Sequence, residues 1–271
     1  MGKFDGILIC TDLDGTLYKN DKSISSKNRE AIEYFKQEGG FFTFITGRMP
    51  YYSMQAYQAV NPNVAFGCIN GGGLYDGASR QYVWKESLGD GVCELIASID
   101  EALPRVGIQV CCFDKSYFAK ECDVWIRFRS LTGVPNLVRP YRDVDEPIAK
   151  ILFGTADEEE MQTIEKLLLS HPMSDRFVFV RSERTLFEIL PKGVNKGLAL
   201  SKLTEHLRVD PKRTIAIGDY HNDIPMLLAA GVGVAVSNAC PAALAAADVV
   251  SVSNEEDAIS HVISHCLEYV K

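Results

Sequence analysis

Short apolar runs that stop abruptly at polar residues alternate with amphipathic stretches in the first part of the chain. Residues 7–10 are Ile-Leu-Ile-Cys, and Thr11-Asp12-Leu13-Asp14-Gly15 follow at once. This break predicts a buried strand that delivers polar side chains at its carboxyl end. The next stretch predicts a serine-capped helix that ends at Gly39, and residues 41–45 predict a second strand, which ends at Thr46-Gly47-Arg48. A strand, a helix and a strand with this crossover length predict parallel pairing.

The same alternation returns near the end of the chain, whereas the middle has a different pattern. The final third predicts two strands, at residues 214–217 and 232–236. It also predicts four helices, at residues 195–207, at residues 222–230, from residue 241 and from residue 254. Between residues 88 and 190, helices mix with strands, two of which resemble a hairpin around Ser182-Glu183. We therefore expect an α/β fold, a doubly wound (Rossmann-like) parallel-sheet core built from residues 1–86 and 190–271. Residues 87–189 form an inserted α+β domain in this prediction.

Composition narrows the classes of function. A chain of 271 residues suggests two domains. The net charge of −8 argues against nucleic acid as a partner, because such proteins usually carry a basic face. Eight cysteines without a C-x-x-C spacing predict free thiols in a reducing compartment rather than a zinc site. There is neither a signal-peptide pattern nor a run of about eighteen apolar residues, so we expect a cytoplasmic protein without a membrane span.

Carboxylates follow the predicted strands where a parallel sheet binds its ligands. Asp12 and Asp14 come directly after the first strand, and Asp219 and Asp223 follow a strand near the end of the chain. Ligands bind outside the carboxyl ends of such strands, and clustered carboxylates repel one another unless a cation or a proton intervenes. Any one of these residues could simply cap a helix or a turn. Four of them at one sheet edge favour a site for a hard cation, such as Mg²⁺ with a phosphorylated substrate.

Four segments together resemble the signatures of the haloacid dehalogenase-like phosphatases. Asp12-Leu13-Asp14-Gly15-Thr16-Leu17 is similar to their first motif, and the Thr46-Gly47-Arg48 turn to their second. Lys196 resembles the third motif, and Gly218-Asp219-Tyr220-His221-Asn222-Asp223 the fourth. The insertion lies between the second and third motifs, as in the Cof-type branch, where it forms a mobile C2 cap over the active site. The resemblance covers essentially the whole chain.

The resemblance implies a Mg²⁺-dependent phosphatase that hydrolyses small phosphorylated metabolites, such as sugar phosphates, through an aspartyl-phosphate on Asp12. It implies that Asp14 acts as general acid and base, and that Thr46, Gly47 and Lys196 bind the phosphate. Asn70 and Asn222 are further candidates for the phosphate side. The implied Mg²⁺ ligands are Asp12, the main-chain carbonyl of Asp14, Asp219 and Asp223.

Two other functions use the same residues. A phosphomutase would reuse the phosphoryl group instead of releasing it, and it would need every motif named above. A regulatory protein could bind a phosphorylated ligand without turnover, although such proteins usually lose the nucleophile or the acid. A nucleotide-binding dehydrogenase would need a G-x-G-x-x-G turn after the first strand, and this chain has none there. The sequence leaves open which ester is cleaved and what the oligomeric state is.

Overall fold

A computed structural model describes residues 2–270 of the chain. Its strands are β1 (Leu8–Thr11), β2 (Phe41–Phe44), β3 (Phe66–Cys68), β4 (Gly73–Asp76), β5 (Gln81–Lys85), β6 (Gly107–Cys112), β7 (Ser116–Lys120), β8 (Ile148–Gly154), β9 (Phe177–Glu183), β10 (Leu186–Pro191), β11 (Thr214–Gly218), β12 (Val232–Ala235) and β13 (Val249–Val250). Its α-helices are α1 (Ser26–Gln37), α2 (Pro50–Val60), α3 (Val92–Ala102), α4 (Asp123–Thr132), α5 (Glu158–Ser170), α6 (Lys196–Leu207), α7 (Ile224–Ala229), α8 (Pro241–Ala246) and α9 (Ala258–Tyr269).

The chain divides into two compact units. The first, the core unit, combines Met1–Lys85 with Asn195–Lys271, and the second, the inserted unit, is the continuous segment Glu86–Val194. No helix among residues 2–270 has the length and apolar character that crossing a bilayer requires. All eight cysteines are free thiols, five of them buried.

The core unit contains a five-stranded parallel sheet in the order β13-β12-β11-β1-β2. The strand β1 pairs in parallel with β11. All four residues of β1 and all five residues of β11 are buried. Central strands of a parallel sheet with helices on its faces are buried on both sides, which explains their continuous apolar sequences. The doubly wound α/β core that the sequence predicted is therefore confirmed. A smaller antiparallel sheet, β3-β4-β5, belongs to the same unit.

The inserted unit contains a five-stranded antiparallel sheet in the order β7-β6-β8-β10-β9. One face of this sheet and the helices α3 and α5 enclose an apolar core that includes Ile96, Ile108, Phe153 and Ile164. Asp157 caps the N-terminus of α5, because its carboxylate accepts hydrogen bonds from the backbone of Glu159 and Glu160. The α+β character predicted for the insertion is thus confirmed.

Some predicted elements differ in the structure. The hairpin formed by β9 and β10 turns at Arg184-Thr185 instead of at Ser182-Glu183. The helix predicted at residues 222–230 is a 3₁₀ turn, His221–Asp223, followed by α7. Pro225 fits only the first turn of a helix, because it lacks the N–H that an interior position must donate. The pattern also gave no sign of α2, α4, β4, β5 and β7.

Candidate active site

The carboxyl ends of β1, β11 and β2 bring the predicted motif residues to one edge of the parallel sheet. Asp12 follows β1 directly, and its backbone N–H donates to the carbonyl of Ile217 on β11 at 2.8 Å. Asp219 follows β11 and stands beside Gly15, which has a φ of +83°. A Cβ at Gly15 would lie 2.6 Å from Oδ2 of Asp219, so only glycine fits this turn. The strand order of the sheet therefore brings motifs that are far apart in the sequence close together in space.

Three carboxylates form a compact acidic cluster, defined as Asp12, Asp219 and Asp223. Each offers one oxygen, and these oxygens lie within 4.8 Å of one another. Asp12 and Asp223 are buried, and Asp219 is half-buried. The side chain of Asp14 is not part of this cluster among the described residues. Three carboxylates at this separation and burial can all be ionised only where positive charge lies nearby.

Lys196 supplies one positive charge to the cluster. It is the first residue of α6, which Asn195 caps by accepting a hydrogen bond from the backbone of Leu198 at 3.0 Å. Its side chain is 1% exposed, and its Nζ donates to Oδ1 of Asp12 and to Oδ1 of Asp223, both at 2.5 Å. Burial alone would lower the pKa of Lys196, but the two carboxylates outweigh it and raise that pKa above its usual value. The two carboxylates therefore favour the charged form of Lys196.

The acidic cluster fits a divalent cation, since one lysine does not balance three carboxylates. Burial, reinforced by the neighbouring aspartates, raises the pKa of Asp12 to about 8 despite the opposing effect of Lys196. Burial and Asp223 raise the pKa of Asp219 to about 6. Thr16 holds Asp219 through a 2.8 Å hydrogen bond to Oδ1. Oxygen ligands that repel one another in this way suit a hard cation such as Mg²⁺.

Asp223 has a second role at the same edge. Its Oδ2 accepts hydrogen bonds from the backbone N–H groups of Asp219 and Tyr220, at 2.9 and 3.0 Å, while its Oδ1 accepts from Lys196. Both oxygens of this buried carboxylate therefore help to shape the loop that carries Asp219. This arrangement fixes the direction of Asp219 toward the cluster.

Asp14 lies between two cations instead of within the acidic cluster. Arg48 donates to it through Nε, at 3.0 Å to Oδ2, and through Nη2, at 2.8 Å to Oδ1. Lys22 Nζ donates to the same Oδ1 at 2.8 Å. Burial alone would raise the pKa of Asp14, but Arg48 and Lys22 lower it below its usual value. In this arrangement Asp14 is a carboxylate with a fixed orientation.

Thr46, Gly47 and Asn222 all lie close to Asn70. The carbonyl of Thr46 accepts a 3.1 Å hydrogen bond from the backbone of Asn70, and Asn222 Nδ2 donates to Oδ1 of Asn70 at 3.0 Å. A Cβ at Gly47 would lie 2.9 Å from Oδ1 of Asn70. Ile69 and Asn70 have φ values of 57° and 50°, a left-handed conformation that is rare for a β-branched residue such as Ile69. Backbone strain of this kind concentrates at functional sites.

Sequence reasoning overlooked some residues that contact this site. Thr16 and Arg48 lie inside the first and second motifs, so their positions in the sequence could have identified them as site residues. Asn238, whose Nδ2 donates to the carbonyl of Gly15 at 2.8 Å, lies far from every motif in the sequence. Lys22 is likewise outside the motifs, and only the turn that places it in a left-handed conformation brings it to Asp14.

Comparison with known proteins gives matches that span both units. A family model described as haloacid dehalogenase-like hydrolase matches residues 9–263. The 5-amino-6-(5-phospho-D-ribitylamino)uracil phosphatase YitU of Bacillus subtilis is 28% identical over 264 residues, covering 94% of this chain and 96% of that protein. The HMP-PP phosphatase of Escherichia coli is 24% identical, covering 97% and 96%. The crystal structure of a haloacid dehalogenase-like hydrolase from Bacteroides thetaiotaomicron is 26% identical with a TM-score of 0.83, covering 97% and 99%.

Proposed function

This chain belongs to the haloacid dehalogenase-like hydrolase family, as its four motifs indicated, and on that premise we propose that it is a Mg²⁺-dependent phosphatase of small phosphorylated metabolites. The observation that carries the proposal is the contact of Lys196 with Asp12 beside two further carboxylates. A carboxylate can attack a phosphate dianion only where positive charge offsets their repulsion. Lys196 supplies part of that charge beside Asp12, and a cation held by the acidic cluster would supply the rest.

In the first half of the proposed reaction, Asp12 acts as the nucleophile. One carboxylate oxygen of Asp12 forms a bond to phosphorus, the bond between phosphorus and the ester oxygen breaks, and Asp14 gives a proton to the departing oxygen. Lys196, which contacts Asp12 at 2.5 Å, holds the carboxylate in place. Thr46 and Gly47 would donate hydrogen bonds to the phosphate oxygens. The result is an aspartyl-phosphate and a free alcohol.

In the second half, Asp14 acts as a base. It takes a proton from water, whose oxygen bonds to phosphorus while the bond to Asp12 breaks, so that inorganic phosphate leaves and both aspartates are regenerated. The paired state of Asp14 with Arg48 and Lys22 suits this half of the reaction, because both cations favour the carboxylate. Their side chains are 37% and 63% exposed, so both can turn toward an anionic substrate when Asp14 must be protonated.

The proposed Mg²⁺ would be held by Asp12, Asp219 and the main-chain carbonyl of Asp14, with Asp223 as a direct or water-mediated ligand. When bound, a divalent cation neutralises charge on the phosphate and on the acidic cluster. We also propose that Asn70 and Asn222 contact the phosphate. The hydrogen bond between their side chains supports this proposal, because it holds the two amide groups next to each other. The substrate class follows from the relatives, which are named as phosphatases of a phosphorylated ribitylaminouracil and of HMP-PP.

Phosphate release from a panel of phosphorylated metabolites and p-nitrophenyl phosphate tests the proposal. We expect activity with Mg²⁺ and none with EDTA, and a loss of about four orders of magnitude in Asp12→Asn, because the nucleophile is gone. The exposed Asp114 offers a matched control, and Asp114→Asn should retain full activity. Full activity in Asp12→Asn would overturn the proposal. A requirement for a bisphosphate activator, with no net release, would favour a phosphomutase.

A further inference from the structure

The turn that follows β1 carries Asp14, and a residue near the other end of the chain holds it. We call residues 13–23 the Asp14 turn. Asn254 stands 236 positions after Tyr18 and is 2% exposed, and its Nδ2 donates to the carbonyl of Tyr18 at 3.0 Å and to Oδ1 of Asn20 at 3.3 Å. An amide nitrogen has two N–H groups, so one side chain can make both bonds. Asn254 belongs to none of the four motifs.

Neighbours of Asn254 add further bonds to the Asp14 turn. The backbone N–H of Asn254 donates to Oδ1 of Asn238 at 2.9 Å, and Nδ2 of Asn238 donates to the carbonyl of Gly15 at 2.8 Å. The Oε1 of Glu255 accepts from the backbone N–H of Asn20 at 2.7 Å. Side chains from the two loops that follow β12 and β13 therefore hold the turn at several points.

Tyr18 connects Asn254 to Asp14. Its backbone N–H donates to the carbonyl of Leu13 at 2.8 Å, which closes the turn around Asp14. Its ring, in a residue that is 6% exposed, lies 5.7 Å from the guanidinium carbon of Arg48. Arg48 in turn donates two hydrogen bonds to the carboxylate of Asp14. Tyr18 therefore contacts both the backbone next to Asp14 and the cation that orients its side chain.

The use of a buried amide at this place indicates a need for accurate geometry. A buried amide is unfavourable unless its hydrogen bonds are made, whereas an apolar side chain of similar size has no such requirement. Apolar packing, however, is non-directional, while hydrogen bonds from one planar amide restrict the direction of both acceptors. A displacement of about 1 Å at a catalytic group can lower a rate about a hundredfold. Stability alone would not need this arrangement.

We propose that Asn254 is a positioning residue for Asp14 and acts through Tyr18. The proposal rests on the proposed function, since Asp14 is the acid and the base of that reaction. It deepens that function by assigning a part in catalysis to a residue outside the four motifs. Asn254 does not touch the reacting atoms. It holds the Asp14 turn in the conformation from which Asp14 can reach the ester oxygen.

The dependence of kcat/KM on the leaving group tests this role. The p-nitrophenolate ion is weakly basic and departs with little help from an acid, whereas phenolate and alkoxides need a proton from Asp14. In Asn254→Leu we expect kcat/KM to fall about tenfold to a hundredfold for phenyl phosphate and for the best alkyl phosphate, but less than about threefold for p-nitrophenyl phosphate. Asp14→Asn should show the same selectivity more strongly. Equal falls for all three esters in Asn254→Leu would overturn the proposal.

Two substitutions at Tyr18 test the connection to Asp14. Tyr18→Leu removes the ring beside Arg48 and should produce the same selective loss as Asn254→Leu. Tyr18→Phe keeps the ring and should retain the ratio of the kcat/KM values for phenyl and p-nitrophenyl phosphate. An unchanged ratio in Tyr18→Leu would overturn the assigned connection. Tyr18→Leu also carries the test if Asn254→Leu does not fold.

Asn28 provides a matched control within the core unit. It is a fully buried asparagine of α1, and its Oδ1 accepts from the backbone N–H of Ser260 on α9 at 3.0 Å. Asn28→Leu should lower Tm and leave the ratio of kcat/KM values unchanged, because a loss of folded protein reduces the activity toward every ester equally. The same selective loss in Asn28→Leu as in Asn254→Leu would assign the effect to general destabilisation and overturn the proposal.

Amide hydrogen exchange tests the Asp14 turn without any substrate. The backbone N–H groups of Tyr18 and Lys22 donate to carbonyls within the turn. Relative to the amides of β1, both should exchange about tenfold faster in Asn254→Leu, because the turn has lost two hydrogen bonds. Unchanged exchange at both amides would overturn the proposal.

The outcomes separate the positioning role from the phosphatase activity. If the unmodified protein cleaves esters and Asn254→Leu shows no selectivity among leaving groups, the positioning role fails and the phosphatase proposal stands. If the unmodified protein cleaves no ester, the proposed function fails together with the catalytic part of this inference. The exchange rates then still decide whether Asn254 holds the turn.

Discussion

Lys196 is the residue on which the charge balance of the site depends. It is almost fully buried, and it contacts two of the three carboxylates of the acidic cluster. A buried charge that loses its partner is more unfavourable than either a complete pair or an apolar replacement. Lys196, for which we propose a catalytic role, therefore also has a structural role in the charge balance of the site.

We expect Lys196→Met to lower the free energy of unfolding by about 3 kcal/mol in the absence of Mg²⁺, because it leaves the buried carboxylates without their cation. Urea unfolding in EDTA measures this change. Lys202→Met, on an exposed turn of the same helix, is the matched control and should change stability by less than about 0.5 kcal/mol. A loss as small as that control in Lys196→Met would contradict the assigned role.

The raised pKa of Asp12 makes the effect of Mg²⁺ depend on pH. Between its ordinary value of 3.8 and about 8, Asp12 binds more protons in the folded, metal-free protein than in the unfolded chain. Stability in EDTA therefore falls as pH rises through this window, and Asp219, with a pKa of about 6, acts in the same direction. A bound cation favours the ionised carboxylates and removes this penalty.

Accordingly, saturating Mg²⁺ should raise Tm more at pH 8 than at pH 6. Thermal unfolding at the two pH values, each with Mg²⁺ and with EDTA, measures the difference. Asp219→Asn, which removes one carboxylate from the cluster, should reduce the Mg²⁺-induced shift at pH 8. An equal or smaller shift at pH 8 in the unmodified protein would show that the cluster does not titrate as described.

The sequence could predict the motif residues because short spacings and strand ends determine their positions. Asp12 and Asp14 are two residues apart after a strand, so their shared edge followed from local structure alone. The ion pairs of Asp14 with Arg48 and Lys22 depend instead on the path that these two long side chains take across a turn. The sequence also could not show that the buried Nε2 of Gln109 and Nε1 of Trp125 make no hydrogen bond with any of residues 2–270, because this depends on the tertiary neighbours of both side chains.

At the level of elements, the strands β8 and β10 share a buried ion pair that apolar packing could replace. Lys150 and Glu188 satisfy each other, and their neighbours on the same strands are apolar. Strand pairing thus fixes which partner each charge has. Substitutions of this pair test whether the stability of the sheet requires the two charges, or requires only that neither charge is present without the other.

We expect Glu188→Leu alone to lower the free energy of unfolding by about 3 kcal/mol, since it removes the carboxylate that the buried Lys150 ammonium contacts. The double change Lys150→Met with Glu188→Leu should recover most of that loss, because two apolar side chains replace a pair that had been costly to desolvate. Urea unfolding of the two single variants and the double variant completes a thermodynamic cycle. Additive losses would indicate that the two side chains do not interact.

Elements with strong periodicity were predicted correctly, and elements with weak patterns were not. The helix α1 has a serine cap and buries Ile32 and Phe35 on one side, which is a clear helical signal. By contrast, α2 has few charged residues and begins with proline, and β5 is mostly exposed, so neither contrasts with a loop in composition. Their conformation follows from tertiary contacts, such as the pairing of β5 with β4.

At the level of the whole molecule, the inserted unit is continuous in sequence, whereas the core unit consists of two separate segments. The inserted unit has its own apolar core of buried side chains from two helices and the sheet. A continuous segment of this length with a separate core meets the ordinary requirements of a domain.

We therefore expect residues 86–194 to fold when expressed alone. The isolated segment should give a cooperative urea transition and dispersed amide NMR signals, because its core contacts are internal to it. Residues 1–85 alone should give neither, since β1 would lack its neighbour β11. A disordered segment 86–194 would show that its core needs residues from outside.

The pairing of β1 with β11 also determines the order in which the nascent chain can acquire structure. Leu8 pairs with Phe41, which leaves the ribosome soon after it, but also with Thr214, which is synthesised some two hundred residues later. Translation at about 5–20 residues per second separates these events by ten seconds or more. During that interval the inserted unit can complete its fold while one edge of β1 waits without a partner. Chaperones that shield apolar strand edges would have their natural target in this first segment.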